Sequence, residues 1–530
     1  MHEKSGRADL SWTVNRRTVL KTASLMGVSV LGDLGPVLAA ANGVLKLRLL
    51  ADIQNLDPAF EPQDHDLQVI FNIYENLVSF EPGTFDLVNT LAEEWTPSSD
   101  GLKFDFRLKK GIQFHRGFGE VTAQDVKFSF ERIAGMTVPA IDSPYKKLWG
   151  ALKEVQVTGQ YTGSIILKSA TAPLMNLTIP GNVGQIVSRK AVEQLGEQYA
   201  TNPVGTGPYE FIEWVPRERV VLRKFKDYSG ASSAYAAAPE WVEIQFVPIT
   251  ADSNAEIALE TKEIDFGSLP LSSVSRFEDN KAFSVTERTG FAYKFIGMNV
   301  NDPVLKDINV RQAIRHAIDV PSILVAAFED RWQRATAVLP PSMPIGYWKD
   351  APVLQRDVDV AKSFMVKAGS PVTGLTFTYN NSEAGASAVA EIVQANLADI
   401  GITVDVVPQE NAVAMQTGKD AQKGRQIFYV GYGSQGDPAQ SMSWFTCEQI
   451  DKWNFIDWCD PKFTDLAAQG ILEQDSKRRL AIYLEMQQLW EEAANVVWVA
   501  WPTFFFATRQ GLTPSLRPDG RMLAWNFRSA

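Results

Sequence analysis

The segment Asn202–Trp214, NPVGTGPYEFIEW, decides how the rest of the chain is read. Asn202-Pro203 enforces an extended or turn backbone. Gly205 and Gly207 permit positive φ, and Pro208 fixes the angle that follows. Tyr209-Glu210-Phe211 then alternates apolar and polar, the start of a strand. A rigid Gly/Pro corner therefore feeds a strand. A phosphate-binding loop is disfavoured, because no Lys-Ser/Thr follows the glycines. On the residues alone, the segment is a structural turn.

Outward from this corner the chain alternates strands and helices. Leu45–Ala51 reads as a first strand, followed by an Asx-turn loop at Asn55-Leu56-Asp57. Leu67–Leu77 has helical spacing. Leu102, Phe104, Phe106 and Leu108 share one strand face, opposite Lys103, Asp105 and Arg107. Thr122 to Asp125 resembles a capping box, with Val126, Phe130 and Ile133 on one stripe behind it. Beyond the corner come a strand at Trp241–Ile249, a helix and turn over Ile257–Phe266, and the apolar Phe291–Asn299. Val310–Ile318 is an amphipathic helix, and Asp319-Val320-Pro321 starts another. Ala386–Ile400, Gly401 and the alternating Ile402, Val404 and Val406 give helix, stop and strand at α/β spacing. A helix over Ser476–Glu492 precedes VVWVAWPTFFF (Val496–Phe506), a run apolar enough for a strand buried on both faces.

The 530 residues, 45% hydrophobic, suffice for a large core and two or more domains. The 14 Trp and 29 Phe serve cores first, and binding clefts are aromatic-lined too. The N-terminus reads as an address. Arg16-Arg17 opens a twin-arginine sequence, a short apolar run follows, and Ala39-Ala40-Ala41 is a cleavage site. A Tat signal over residues 1–41, a soluble product and a periplasmic location are expected. Removing those residues moves the net charge from −11 to −13, because five Lys/Arg and three Asp/Glu leave with them. That balance argues against a nucleic-acid partner. Cys447 and Cys459 enclose a short loop, for which an oxidising compartment makes a disulfide the default; two thiols without a nearby His make a poor metal site.

Enzyme motifs are missing. The chain has four His and neither an HExxH nor a Walker A sequence. Ser434 is not on a nucleophile elbow, since Tyr432 occupies the first Gly place. His115 and His316 read as turn, packing or helix residues. The best binding candidate is VGYGSQGDPAQSMSWF (Val430–Phe445). There a strand ends in a Gly-rich loop, and ligands sit at the carboxyl ends of such strands. Gly431, Gly433 and Gly436 bring backbone N–H and C=O groups close to a ligand, Tyr432 and Trp444 offer faces for stacking, and Asp437 offers a charge or a turn cap.

Four segments together carry a resemblance. NPVGTGPYEF, KKGIQFHRGFGEVTAQDVKFSFERI (Lys109–Ile133), VRQAIRHAID and the Gly431–Asp465 region are similar to motifs of the peptide/nickel family of extracytoplasmic solute-binding proteins, receptors of ABC importers. Arg116 stands where the family has Asp after His. Cys447, Asn454, Trp458, Cys459, Pro461, Phe463 and Asp465 fall in register with the family's disulfide loop. Two features depart from its dipeptide-binding members. The Asp that meets a peptide amino group falls on Ser434, and Tyr379-Asn380-Asn381-Ser382-Glu383 lacks the Arg that holds a peptide carboxylate.

The resemblance implies an α/β, two-lobed periplasmic-binding-protein clamp of the cluster C, three-domain type, hinged on two crossing segments. Lobe I would take 42–297 and 502–530, with an inserted subdomain at about 78–200, and lobe II 298–501. It implies a monomer that delivers a peptide or other small polar amino compound to an ABC permease in the inner membrane, with no enzymatic activity, cofactor or metal. Tyr432, Gly433, Ser434, Gln435, Asp437 and Trp444 are the expected ligand contacts of lobe II, with Asn55 and Tyr74 from lobe I. Oligosaccharide, polyamine or opine-like ligands are the rivals within this class. An exported hydrolase or a peptide-binding chaperone is the rival outside it.

Overall fold

The computed structural model of the chain describes residues 42–60, 63–229, 238–369, 372–419 and 425–530. The expected signal segment, residues 1–41, lies outside the described residues. Two large sheets organise the molecule into two lobes. The first has seven strands, in the spatial order Phe283–Thr289, Thr503–Arg509, Phe266–Leu269, Asn42–Leu49, Trp241–Pro248, Arg219–Lys224 and Tyr209–Val215. The second has six, ordered Gln333–Arg334, Val496–Trp501, Tyr293–Met298, Ile427–Tyr432, Leu375–Asn380 and Val404–Gln409. A smaller four-stranded antiparallel sheet, Ala92–Pro97, Lys103–Leu108, Thr162–Leu167 and Leu152–Val157, packs into the first lobe's core.

Hydrophobic patterning explains the layering. Phe104, Phe106 and Leu108 are buried while Lys103 and Asp105 are exposed, as their alternation requires. In the second sheet every residue of Val496–Trp501 is buried, because helices cover both faces. One face packs on Ile308–Ala317, Val320–Phe328 and Ala386–Ala398 through Ile314, Leu324 and Leu397. The other packs an aromatic core around Phe295, Tyr432, Phe445 and Trp490. Cys447 and Cys459 are bonded, with Cα atoms 4.6 Å apart, and they close the loop that roofs this core. Inside that loop the buried Asn454 amide donates to the carbonyls of Phe445, Thr446 and Trp458.

The chain crosses between the sheets at residues 290–292 and again at Pro502. The strand Tyr293–Met298, expected at the end of lobe I, pairs instead with Ile427–Tyr432 and Val496–Trp501 in the second sheet. Its burial on both faces comes from that central place. The apolar run Val496–Phe506 is likewise two strands. Pro502 has no N–H for a ladder, and the run changes sheets there. The two crossings are tied to each other: Gly290 N–H donates to Pro502 O at 3.2 Å.

The Gly/Pro corner is a backbone-on-backbone contact. Neither Gly205 nor Gly207 has positive φ, contrary to the sequence expectation. They are glycines because the carbonyl of Ile73, at the end of the helix Asp64–Ile73, lies where their Cβ atoms would be. Gly207 N–H donates to Ile73 O at 2.8 Å. His115 pins the corner from the other side: its N–H donates to Gly205 O at 2.9 Å. Its Nδ1 accepts from Gly205 N–H at 3.4 Å, so its Nε2 carries the hydrogen shared with Gly207 O at 2.9 Å. Arg116, in a left-handed turn, donates to Asn202 O at 2.7 Å and Pro203 O at 3.0 Å, a tie the replaced Asp could not make. Thr206 and Tyr228 donate to the buried Glu75 carboxyl at 3.0 and 3.1 Å.

Gly205→Ala forces backbone apart and costs about 3 kcal/mol or more of unfolding free energy in urea titrations. Burial pushes Glu75 from 4.5 up to about 7, while it pushes His115 from 6.5 down to about 4. Between those Glu75 values the folded protein holds a proton that the unfolded chain has released, so this carboxyl lowers stability as pH rises. His115 acts in the opposite direction, since the unfolded chain takes up a proton as pH falls through 6.5. Relative to wild type, Glu75→Gln therefore gains about 2 kcal/mol of stability at pH 7.5 over pH 5, in paired denaturations.

Candidate binding cleft

The strand Ile427–Tyr432 runs out of the second sheet into Gly433-Ser434-Gln435-Gly436. That loop faces the first lobe across a cavity of about 180 Å³. The crossing residues Gly290, Phe291 and Ala292, with Phe504 beyond the return, form its hinge-side wall. Phe71 and Asp64 come from the first-lobe helix, and Phe80 and Phe85 from the strand and turn that follow. The turn Arg517–Arg521 completes the wall. A second chamber of about 280 Å³ shares Asp64, Phe504, Asp519 and Arg521 with the first and extends to Arg48 and Phe266.

The lobes are closed on each other. Gly436 packs so tightly on Phe85 that a Cβ would stand 2.6 Å from the ring. Ala172 N–H also donates to Ile471 O at 2.8 Å, joining the first lobe's smaller sheet region to a helix of the second. Charge in the cleft is concentrated on the Arg517–Arg521 turn. Burial disfavours the Asp519 carboxylate, and Arg517 and Arg521 outweigh it and hold the group at about 2. Arg521 bonds Asp519 at 2.9 Å and Asp64 at 3.0 Å. Arg517 lies over the Phe71 ring at 4.1 Å and donates to Pro180 O at 3.1 Å. The wall is thus aromatic, main-chain amide and fixed charge together, a surface suited to a zwitterionic or polar solute with apolar parts.

Of the residues read from sequence, Gly433, Ser434 and Gln435 line this cavity. Asp437 does not reach it. It is fully buried, caps the helix Pro438–Ser443 through Ala439 N–H at 2.9 Å, and pairs with Arg479 at 2.7 Å. Its charge is spent on that pair. Tyr432 is wedged among Tyr293, Phe445 and Phe455, its hydroxyl donating to Trp453 O at 2.7 Å. Trp444 meets Tyr432 edge-on and stacks beside Trp453. Asn55 makes an Asx turn with Asp57 N–H at 2.8 Å. Tyr74 is buried, its hydroxyl 3.1 Å from that of Tyr199. The Tyr379–Glu383 stretch borders a separate cavity of about 140 Å³, where Glu383 is paired with Lys294.

Sequence reasoning missed Phe71, Phe85, Phe504 and the Arg517–Arg521 turn. The one local signal was RPDGR, a Pro-Asp-Gly turn flanked by two cations, closed here by Arg517 N–H to Arg521 O at 2.7 Å. Among the described residues no helix is long and apolar enough to cross a membrane.

Comparison with known proteins places this geometry. The model of bacterial extracellular solute-binding proteins, family 5, middle region, matches residues 86–453. The dipeptide-binding protein of Escherichia coli K12 is 25% identical over 474 residues, which cover 83% of this chain and 85% of that protein. The structure of HbpA2 from Haemophilus parasuis matches with a TM-score of 0.82 at 24% identity, covering 92% of this chain and all of that one. DppA from Helicobacter pylori, in complex with the peptide STSA, matches with a TM-score of 0.74 at 25% identity, covering 92% and 98%. With its two sheets, paired crossings and interlobe cavity, the chain belongs to the bacterial extracellular solute-binding proteins of family 5.

Proposed function

We propose that this protein captures short peptides in the closed cleft and presents them to the membrane permease of an ABC importer. The observation that carries this reading is the cavity at the crossings, lined by the Gly433–Gly436 backbone on one lobe and by aromatic rings and the Arg517–Arg521 turn on the other. Main-chain amides recognise a peptide whatever its side chains, and the fixed charges suit its termini. The relatives named above as dipeptide-binding and as bound to STSA support the same class. Ligand contacts both lobes only when they are together, so binding shifts the open/closed equilibrium. Export through the twin-arginine signal, release of a soluble monomer into the periplasm and the absence of covalent chemistry complete the proposal.

One observation favours a second ligand class. Ser434 on the cavity wall is neutral, and its hydroxyl lies 2.5 Å from that of Ser441, so no carboxylate at that position meets an amino terminus. An opine-like or other small amino compound fits such a wall as well. Mass spectrometry of material released by denaturing the purified protein separates the two. A mixture of short peptides supports the proposal, and a single defined non-peptide mass replaces it.

Gly433 has open space where its Cβ would lie and no positive φ. Gly433→Leu therefore fills the cavity without disturbing the fold; peptide affinity falls more than tenfold by calorimetry while Tm is unchanged. Asp437→Ala behaves in the opposite way. It leaves Arg479 buried and unpaired and lowers unfolding free energy by about 3–5 kcal/mol, while peptide affinity measured below the melting range stays within about threefold of wild type.

A further inference from the structure

The cavity at the crossings is small for its task. Its volume of about 180 Å³ falls below the roughly 300–1,000 Å³ typical of sites that enclose a ligand. A larger space of about 740 Å³ lies beside it, and Asn176 lines both. Its walls come from different lobes. Trp95 and Phe104, stacked at 5.1 Å on the smaller sheet, form one wall with Met175. Met343, Tyr347 and Leu480 of the second lobe form the other. Ala172, whose N–H bonds Ile471 across the lobes, stands at its edge, so this groove exists as an enclosed space only when the lobes are together.

Trp95 is the telling residue. It sits on an edge strand and stays half-buried, while Phe106, Leu108 and Ile165 fill the smaller sheet's core. One part of Trp95 stacks on Phe104 and packs against the first-lobe core, and the rest lines the groove, where it and two methionines offer adaptable contacts to varied apolar side chains. Resting on the peptide reading, we infer that the groove is an extension subsite. It receives the residues of a bound peptide beyond the first two, with preference for apolar side chains, and this makes the protein a receptor for oligopeptides rather than dipeptides. Each added residue in the groove touches both lobes, so longer apolar peptides hold the closed state more strongly.

Calorimetry with the series Ala-Phe, Ala-Phe-Leu and Ala-Phe-Leu-Phe-Leu, on wild type, Trp95→Ala and Tyr347→Ala, tests this. The expected result is a pentapeptide bound at least tenfold more tightly than the dipeptide by wild type. Each substitution cuts pentapeptide affinity at least fivefold and leaves dipeptide affinity within twofold. Because the two residues lie on opposite lobes, a loss of fold in the smaller sheet, read from Tm, affects only the first variant, and Tyr347→Ala still decides the matter. Affinity that does not depend on length, or a gain that survives Tyr347→Ala, overturns the groove and leaves short-peptide capture standing. Failure of all three peptides to bind wild type removes peptide capture and the groove with it.

Discussion

The contact between the Gly205–Gly207 backbone and the Ile73 carbonyl governs the first lobe, because it fixes where the helix Asp64–Ile73 ends. That helix in turn holds the C-terminal segment. Gln68 Oε1 accepts from Met522 N–H at 2.8 Å, and Asn72 accepts from Trp525 N–H at 3.2 Å and donates to Met522 O at 3.4 Å. The Arg517–Arg521 turn, more than three hundred residues from the corner in sequence, is therefore positioned by it. Any side chain at Gly205 would move the helix, and with it Asp64, Phe71 and the charged wall of the cleft.

The second lobe is built on a different principle. Its cleft loop leaves the end of a central strand and is fixed from behind, by the Asp437–Arg479 pair and by the aromatic core under Tyr432. An ion pair this deeply buried gives little net stability, since desolvation offsets most of the attraction. What it does here is set direction. Asp437 caps the short helix that begins right after it, so the Gly433–Gly436 loop borders the cavity with no charged side chain of its own.

Much of this was legible in the residues. The alternation of Leu102–Leu108, the Thr122–Asp125 capping box, the Asp319 cap and the cysteine loop each depend on neighbours within a few positions, and each took the form its spacing required. The fold followed from such local signals together with the family likeness. The cleft was harder to read. The place of Gly433, Ser434 and Gln435 on the cavity wall was legible because a Gly-rich loop after a strand is a local pattern. Asp437 was misjudged because its partner is 42 residues away, and Tyr432 because an aromatic beside a binding loop reads the same whether it faces core or solvent. Gly205 and Gly207 were rightly singled out for the wrong reason: sequence cannot separate a glycine needed for its dihedral angles from one needed for its missing carbon.

The hydrogen bond between Gly290 and Pro502 ties the two crossings together beside the cavity, while Ala172 and Ile471 join the lobes at the neighbouring groove. The molecule is therefore a lever with its fulcrum next to the load. A few degrees of rotation at the fulcrum hardly change the cavity's hinge-side wall, yet they part the outer rim by a much larger distance. Any rotation about the crossings is thus amplified at the rim, where Ala172 and Ile471 hold the two lobes together.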